Sequence, residues 1–523
     1  MKRLTRGVDP LVFWGSTGVA TAFVLWGVLG TDSLASVMGS VLDWVITNFG
    51  WAFVLIATGA LVFCIVVAIS PYGRIRLGPD DSRPEFRTVS WVAMMFAAGL
   101  GLGLMFYGVA EPISHFAAPP HGLAEPRTPE AAQVALETTY FHWGFNGWAI
   151  YAIMGLALAY FTFRRGGKNL VSATFVPLLG ENASERPIGR VIDGLAIFAT
   201  LFGTATSLGL GALQINSGMN FLWDVPISNA IGVTIIAVIT ALFVLSAVSG
   251  VEKGIQLLSN LSGGATVALM LFFLFAGPTV FIIGTSIETI GGYILNVFPM
   301  SLRMDTFTSP DWMAAWTIFY WAWWISWAPF VGTFVARISR GRTIREFIIG
   351  VVAMPTGMGF IWFAIVGSAG IDMQISGQAD LIATTATPEL SLFTALEQLP
   401  FSTFTSVLSM ILIAFFFISG ADAAAIVMGM LASRGILEPA RTVTATMGIL
   451  MGAIGSALLL VGGLGALQQG AVLASVPFTF VLVGLTYCLT KALREEQVPQ
   501  PVPRRATTLR APAPAPAPLP EEG

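Results

Sequence analysis

Long apolar stretches recur along this chain of 523 residues, and they constrain its fold more than any other feature. A helix needs about 17–25 predominantly apolar residues to cross the hydrocarbon core of a bilayer. Twelve stretches of this kind are predicted, at 11–31, 49–70, 89–114, 138–163, 188–218, 226–248, 255–284, 312–337, 346–371, 405–432, 442–464 and 469–490. The sequence therefore predicts an all-α integral membrane protein with twelve transmembrane helices.

The composition excludes most other classes of protein. Hydrophobic residues make up 55% of the chain and charged residues 11%, whereas a soluble domain carries about 25% charged residues. Soluble enzymes and nucleic-acid-binding proteins are therefore excluded, and so are outer-membrane barrels, whose apolar residues alternate. Cys64 and Cys488 lie inside apolar runs, and two Cys with three His supply too few ligands for a protein metal cage.

The basic residues are distributed unevenly between the two sides of the membrane. When twelve spans are drawn, all 26 Lys and Arg residues except Arg127 and Arg303 fall on one side. The positive-inside rule assigns this side to the cytoplasm. We therefore expect a multi-pass protein of the plasma (inner) membrane, with both termini cytoplasmic and a first span that is not a removed signal peptide.

Two predicted spans contain runs of small residues. In the third span Gly99, Gly101 and Gly103 alternate with leucines, which favours a locally extended segment over the alternative, close helix packing. Unwound backbone inside a membrane needs a protein or cavity lining, and transporters bind substrates at such breaks. The tenth span has a similar run around Asp422, the only carboxylate predicted near mid-membrane. Asp422 is either a functional acid or the cap of a broken helix.

The fourth span carries three aromatic residues at informative spacings. Trp148 and Tyr151 are three residues apart and share one helix face, whereas Trp143 lies about 140° away from Trp148. Gly144 and Gly147 give room for a helix break. Such a break would bring the three aromatic rings together.

The eighth span is unusually rich in tryptophan, with five in the twelve residues from Trp316 to Trp327. Interfacial aromatic belts explain tryptophan at helix ends but not this density through a span. Several indole faces without a carboxylate suit a quaternary ammonium ion, which binds by cation–π attraction of about 0.5–2 kcal/mol per face. Bulk packing is the alternative for any single tryptophan, and the two clusters together favour an aromatic cage.

These segments resemble the betaine/choline/carnitine transporter (BCCT) family. The resemblance lies in the run from Trp316 to Trp327 with the following 336–342, in the glycine motif from Gly99 to Gly103, and in the aromatic cluster that begins at His142. It extends from about Asp9 to residue 490. Family members are transporters, so the resemblance implies that the chain is not an enzyme.

The resemblance implies two peripheral helices followed by inverted five-helix repeats, as in the leucine-transporter fold, together with a homotrimer and alternating access. It divides the chain into the N-terminus with two peripheral helices (1–88), a first repeat (89–284) and a second repeat (312–490). Composition alone predicts an outer loop with an interfacial helix between the repeats (285–311) and a disordered Pro/Ala-rich cytoplasmic tail after them (491–523).

The family's site residues carry over by position. Those implied to form the central cage are Trp143, Trp148, Tyr151 and Trp324. Trp323 and Trp327 would line the path on the cytoplasmic side. The backbone near Gly99, Gly101 and Gly103 would meet the carboxylate end of the substrate.

The resemblance also implies two candidate sites for sodium, which would act as the coupling ion. No other cofactor is expected. The first resembles Thr200, Thr204 and Phe330, although ordinary helix–helix hydrogen bonding is the alternative for the threonines. The second uses the carbonyls of Ala97 and Leu100 with Phe416, Ser419 and Gly420. The family has two adjacent hydroxyls where this chain has Ser419-Gly420, which weakens the second site. Sodium symport is expected first and proton symport second.

The absence of a side chain at Gly103 favours a carboxylate-bearing substrate, because the backbone N–H groups there stay open. Glycine betaine and sulfonium analogues are therefore expected before choline or trimethylamine N-oxide. A proton-coupled choline or carnitine transporter is one alternative, and a sodium-coupled amino-acid transporter of the same fold is another. The expected partners are the onium substrate, the lipid bilayer and two further copies of the chain, with no nucleic acid.

Overall fold

The computed structural model of the protein describes residues 7–99, 101–249 and 252–497. Across these three ranges the regular elements are helices, accompanied by one isolated bridge between Arg76 and Thr343. The first ten α-helices are α1 (Pro10–Leu29), α2 (Thr31–Ile69), α3 (Thr88–Gly99), α4 (Leu102–Ala117), α5 (Pro129–Trp143), α6 (Phe145–Ala159), α7 (Val176–Leu179), α8 (Pro187–Trp223), α9 (Asn229–Ser249) and α10 (Glu252–Ala276). The remaining seven are α11 (Thr279–Ser301), α12 (Asp311–Met313), α13 (Phe319–Ile338), α14 (Ile344–Ile375), α15 (Ser391–Glu397), α16 (Ser402–Ala432) and α17 (Arg441–Arg494).

Local sequence explains where several of these helices begin. Asp9 accepts hydrogen bonds from the backbone N–H groups of Leu11 and Val12, which caps α1. Thr343 and Glu346 form a reciprocal capping box at the start of α14. These side chains satisfy N–H groups that have no partner within the first helical turn.

Nine helices within the described ranges are long and apolar enough to cross a membrane, when the segment Pro129–Arg164 counts as one. Helix α17 also counts once, although Gly462 and Gly463 leave helical geometry near its middle, between the predicted eleventh and twelfth spans. The protein is thus an all-helical membrane protein. The total of twelve spans and the inverted repeats stay predictions.

Helix α10 ends at Ala276, so the predicted seventh span, 255–284, extends too far. Proline lacks a backbone N–H and disfavours helical geometry in the residue before it, and Gly277-Pro278 accordingly separates α10 from α11. Helix α11 occupies most of the predicted outer loop and is among the nine apolar helices. Its position on the outer membrane surface stays a prediction.

The tenth predicted span is a continuous helix. Helix α16 runs from Ser402 to Ala432 without interruption through the small-residue run around Asp422. The small-residue run does not interrupt this helix, because residues such as alanine favour helical geometry. Asp422 therefore does not cap a broken helix.

The last helix extends beyond residue 490, where the second repeat was predicted to end. Helix α17 continues to Arg494, and Nη2 of Arg164 lies 2.7 Å from Oε1 of Glu496. This ion pair fixes the end of the helix against the segment that follows α6. Residues 498–523, which include most of the predicted tail, lie outside the described residues.

The helices pack around a centre formed by α8 and α13. Helix α8 packs against α17 and α16, while α13 packs against α6 and α17. Helix α14 lies against α4 and α6. This arrangement brings the start of α4, the start of α6 and the middle of α13 to one place.

Candidate functional site

The third predicted span is broken at its glycine run, as predicted. Helix α3 ends at Gly99 and α4 begins at Leu102, while Gly101 has extended geometry with φ −166° and ψ 177°. Leu100 lies outside the described residues, as do the side chains of residues 96–99. The contacts predicted for Ala97, Gly99 and Leu100 therefore stay predictions.

A second break separates α5 from α6. Helix α5 ends at Trp143 and α6 begins at Phe145, with Gly144 at φ −99° and ψ −143°. This is the interruption that the fourth span's glycines predicted. It lets Trp143 point toward the same region as Trp148 although the two residues are five positions apart.

Four aromatic side chains form a box at these breaks, and we call this set the aromatic box: Trp143, Trp148, Tyr151 and Trp324. The ring centroids of Trp148 and Tyr151 are 5.4 Å apart, and Trp324 lies 5.4 Å from Trp148 and 4.7 Å from Tyr151. Trp143 lies 6.3 Å from Trp324. These separations are those of favourable edge-to-face aromatic pairs.

The aromatic box borders a cavity of about 110 Å³. The lining residues are Gly101, Leu102, Gly103, Leu104, Trp143, Trp148, Tyr151, Ser207, Trp323, Trp324, Trp327, Val331, Pro355 and Gly359. Except for Gly99, every residue that the sequence predicts for substrate binding is among them. The first turn of α4 also borders the cavity, so the positive end of a helix dipole lies beside the indole faces.

Glycine is required where two rings approach the backbone closely. A Cβ atom on Gly103 would lie 2.4 Å from Cη2 of Trp143, and a Cβ atom on Gly147 would lie 2.4 Å from Cε2 of Trp324. Any larger residue would displace the rings. The glycines thus set the distance between the aromatic box and helices α4 and α6.

A second cavity, of about 250 Å³, adjoins the first and contains residues predicted for the sodium sites. Five lining residues belong to both cavities: Gly101, Leu102, Ser207, Trp327 and Val331. The predicted ion-site residues that line the second cavity are Thr204, Phe330, Phe416, Ser419 and Gly420.

The two predicted threonine ligands differ in their surroundings. The Thr200 hydroxyl is fully buried, does not line the cavity and donates to the Ala196 carbonyl at 2.8 Å. Thr204 lines the cavity, and its hydroxyl donates to the Thr200 carbonyl at 2.5 Å. A donating hydroxyl keeps oxygen lone pairs for a cation, so Thr204 is the better placed of the two.

The structure places a carboxylate that the sequence analysis missed, Glu111 of α4, directly behind the aromatic box. Glu111 is fully buried. Its Oε2 accepts hydrogen bonds from Nε1 of Trp143 at 2.8 Å and from the Tyr320 hydroxyl. Glu111 lies near the end of the predicted span 89–114, so the placement of Asp422 as the only carboxylate near mid-membrane stays a prediction. The presence of an acidic residue inside the predicted span 89–114 was the sequence signal that could have identified Glu111.

The other oxygen of Glu111 faces two histidines. Oε1 lies 2.7 Å from Nδ1 of His142 and 3.3 Å from Nε2 of His115. The opposite nitrogen of His142, Nε2, is 3.0 Å from the Thr317 hydroxyl. Both ring nitrogens of His142 therefore have hydrogen-bond partners, which fits a structural role for this residue.

Glutamate and histidine are also metal ligands, and one potential ligand atom each from Glu111, His115 and His142 lie within 4.8 Å of one another. Two ligands of a tetrahedral zinc ion with bonds near 2.0 Å would lie roughly 3.3 Å apart. The 2.7 Å between Glu111 and His142 is instead a hydrogen-bond distance. Hydrogen bonding therefore explains this cluster.

Asp422 is buried, and its Oδ1 has no hydrogen-bond partner among the residues the structure describes. Since α16 is unbroken, capping does not explain this residue. A functional role for Asp422 stays a prediction.

The sequence is similar to a known family and to individual proteins of that family. A sequence model described as "BCCT, betaine/carnitine/choline family transporter" matches residues 11–498. The chain is 47% identical over 490 residues to the glycine betaine transporter OpuD of Bacillus subtilis, which covers 93% of this chain and 94% of the relative.

Two further relatives extend this similarity. A probable glycine betaine transporter of Desulfitobacterium hafniense is 43% identical over 500 residues, with 94% of this chain and 100% of the relative covered. An ectoine/hydroxyectoine transporter of Virgibacillus pantothenticus is 38% identical over 483 residues, with 92% and 96% covered.

Proposed function

Because the chain belongs to the betaine/carnitine/choline family of transporters, we propose that it imports an onium zwitterion, glycine betaine or a sulfonium analogue first. The protein is a multi-pass membrane transporter and not an enzyme. Import proceeds by alternating access, coupled to the inward movement of a cation. Sodium is the proposed coupling ion.

The observation that carries this proposal is the aromatic box beside the first turn of α4. Indole faces attract a quaternary ammonium or sulfonium group, which cannot donate N–H hydrogen bonds, by about 0.5–2 kcal/mol per face. The backbone N–H groups at the start of α4, around Gly103, suit the carboxylate at the other end of the substrate. No carboxylate lines the cavity itself, so a primary amine has no acidic partner there among the described residues.

The names of the relatives support the ranking of substrates. The relatives of B. subtilis and D. hafniense are named for glycine betaine, and that of V. pantothenticus is named for ectoine and hydroxyectoine. Ectoine is therefore the first competitor to test after sulfonium analogues. Choline ranks lower because glycine at position 103 offers backbone donors for a carboxylate and no acidic side chain for a hydroxyl group.

Sodium coupling is supported by the second cavity. Thr204 and Ser419, which both bear hydroxyl groups, line it, and hard cations such as sodium bind oxygen ligands. No Lys or Arg lines either cavity among the described residues. The described part of these walls therefore carries no positively charged side chain that could take the place of a bound sodium ion. Proton symport is the alternative.

We further propose a homotrimer in the plasma membrane with both termini in the cytoplasm. The distribution of Lys and Arg supports the orientation. Cross-linking of the purified transporter tests the number of copies, and labelling of single cysteines near Arg127 and Arg441 in intact cells tests the sidedness.

Uptake of labelled glycine betaine into proteoliposomes tests the function. The three conditions are an inward sodium gradient, an inward proton gradient and no gradient. We expect accumulation with sodium only. Accumulation with protons alone would overturn sodium coupling and keep the substrate, whereas equilibration without accumulation would overturn secondary active transport.

A competition panel tests the substrate. Unlabelled glycine betaine, dimethylsulfoniopropionate, ectoine, choline and proline are added at equal excess. We expect the first two to compete most strongly and proline not to compete. Strong competition by proline with none by glycine betaine would favour an amino-acid transporter of the same fold.

A further inference from the structure

The hydrogen bonds around the buried Glu111 side chain fit an ionised carboxylate. Tryptophan N–H groups only donate, so the contact from Trp143 requires an acceptor at Oε2 of Glu111. Oε1 faces ring nitrogens of His115 and His142, and both act as donors when these nitrogens carry the proton. The Thr317 hydroxyl then donates to the other nitrogen of His142. With this assignment the indole and both histidines each donate to an oxygen of an ionised Glu111 carboxylate.

Trp143 connects this charge to the cavity. Its indole N–H bonds to Glu111 at 2.8 Å. The far edge of the same ring lies over Gly103, and the ring borders the cavity. The orientation of Trp143 is therefore held at one end by a charged hydrogen bond and at the other by contact with α4.

We propose that Glu111 is a positioning residue for the substrate cation, which acts by fixing Trp143 in the aromatic box. A hydrogen bond to an ionised acceptor is about twice as strong as a neutral one and fixes the plane of the indole. It also shifts electron density toward the ring, whose face attracts the cation. The identity of the substrate in this inference rests on the function proposed above.

Bulk packing does not account for this arrangement. A carboxylate in a fully buried position costs free energy unless donors surround it. Four donors from α4, α5 and α13 meet at Glu111, and two of them, Trp143 and Tyr320, lie at or beside the aromatic box. An apolar residue would fill the same space but would leave the Trp143 N–H without an acceptor.

The test compares two buried glutamates. In Glu111→Gln the charge is lost and an amide N–H₂ faces some of the donors. The matched control is Glu137→Gln on α5, because Glu137 is also buried and accepts from Gln133 at 2.8 Å and Asn296 at 2.9 Å, outside the cavity lining. Binding of labelled glycine betaine to purified protein is measured for both variants, together with thermal unfolding.

We expect Glu111→Gln to weaken binding by about tenfold or more, as for loss of a hydrogen bond to a charged group, and Glu137→Gln to change it by less than twofold. A double-mutant cycle adds Trp143→Phe, which has no N–H group. Because Glu111 acts through Trp143, the glutamine substitution in this background is expected to weaken binding by less than about threefold further. Equal losses in both glutamate variants, or full additivity in the cycle, would overturn the proposal.

Ultraviolet resonance Raman spectra provide a readout without substrate. The indole N–H band of Trp143, identified by subtraction of the Trp143→Phe spectrum, is expected to shift toward weaker hydrogen bonding in Glu111→Gln and not in Glu137→Gln. An unshifted band would contradict the proposed contact. If native protein binds no glycine betaine, the proposed function fails, and this spectrum still decides whether Glu111 holds Trp143.

Discussion

Cη2 of Trp143 lies 2.4 Å from the point that a Cβ atom on Gly103 would occupy. Real Cβ atoms essentially never approach a heavy atom that closely, so glycine alone lets this ring reach the start of α4. The contact places the edge of an indole ring beside the backbone N–H groups of a helix terminus. Groups suited to the two ends of a zwitterion therefore lie next to each other.

Gly103→Ala is expected to raise the half-saturating concentration of glycine betaine by about tenfold. The added methyl group displaces Trp143, and overpacking costs about 1–3 kcal/mol. Concentration-dependent uptake in proteoliposomes measures the effect. Gly39→Ala in α2, where nothing lies within 4 Å of the added atom, is the control and is expected to behave as native. A normal half-saturating concentration in Gly103→Ala would contradict the proposed placement of the substrate.

Trp324→Ala is expected to raise the half-saturating concentration by about 2- to 30-fold, because Trp324 contacts both Trp148 and Tyr151 and contributes a face worth about 0.5–2 kcal/mol. Trp324→Phe keeps an aromatic face but loses the hydrogen bond to the His142 carbonyl at 3.0 Å, so an intermediate value is expected. Trp44→Ala, at a largely exposed position on α2, serves as the control. Equal uptake kinetics for Trp324→Ala and the control would remove Trp324 from the site.

Thr204→Val is expected to raise the sodium concentration that half-activates uptake by about fivefold or more, since it removes a cavity-lining oxygen ligand at constant shape. Thr479→Val on α17 removes a buried hydroxyl with the same type of helical hydrogen bond and does not line the cavity. This control is expected to leave the sodium dependence unchanged. If both variants shift it equally, the threonine acts through helix packing.

Glu496→Gln is expected to lower the midpoint of thermal unfolding, because Glu496 pairs with Arg164 and Arg165 and accepts from the Tyr160 hydroxyl at 2.5 Å. A charged hydrogen bond of this kind contributes about 1–3 kcal/mol. Glu185→Gln breaks the exposed pair with Lys168, which is worth at most about 1 kcal/mol. A larger loss in Glu185→Gln would show that the end of α17 is not held by this ion pair.

The same pair predicts a dependence of stability on pH. Burial alone raises the pKa of the Glu496 carboxyl, but the hydrogen bonds from Arg164 and Tyr160 and the nearby positive charges lower it below the ordinary value. A lowered folded-state pKa adds stability above the unfolded-state pKa, near 4.3 for Glu, and this stability is lost as pH falls through the folded-state pKa. The difference in unfolding midpoint between native protein and Glu496→Gln should therefore shrink as pH is lowered below about 4.3.

Sequence patterns predicted the helix breaks at Gly101 and Gly144 because glycine spacing acts locally on the backbone. They misplaced the boundary between α10 and α11, although Gly277-Pro278 was a visible local signal. They left open a break at the small-residue run of α16, and the helix is continuous there, because small residues permit unwinding without requiring it. Local composition is thus informative about where a helix can break and less so about where it does.

The sequence by itself determined that this chain is a helical membrane protein with an aromatic site, since apolar length and tryptophan density are properties of composition and spacing. Only the tertiary structure decided what lies behind that site. Glu111 and Trp143 are 32 positions apart and belong to different helices, and no periodicity links them. Their 2.8 Å hydrogen bond arises because a buried carboxylate must find donors wherever the packing of α4, α5 and α13 supplies them.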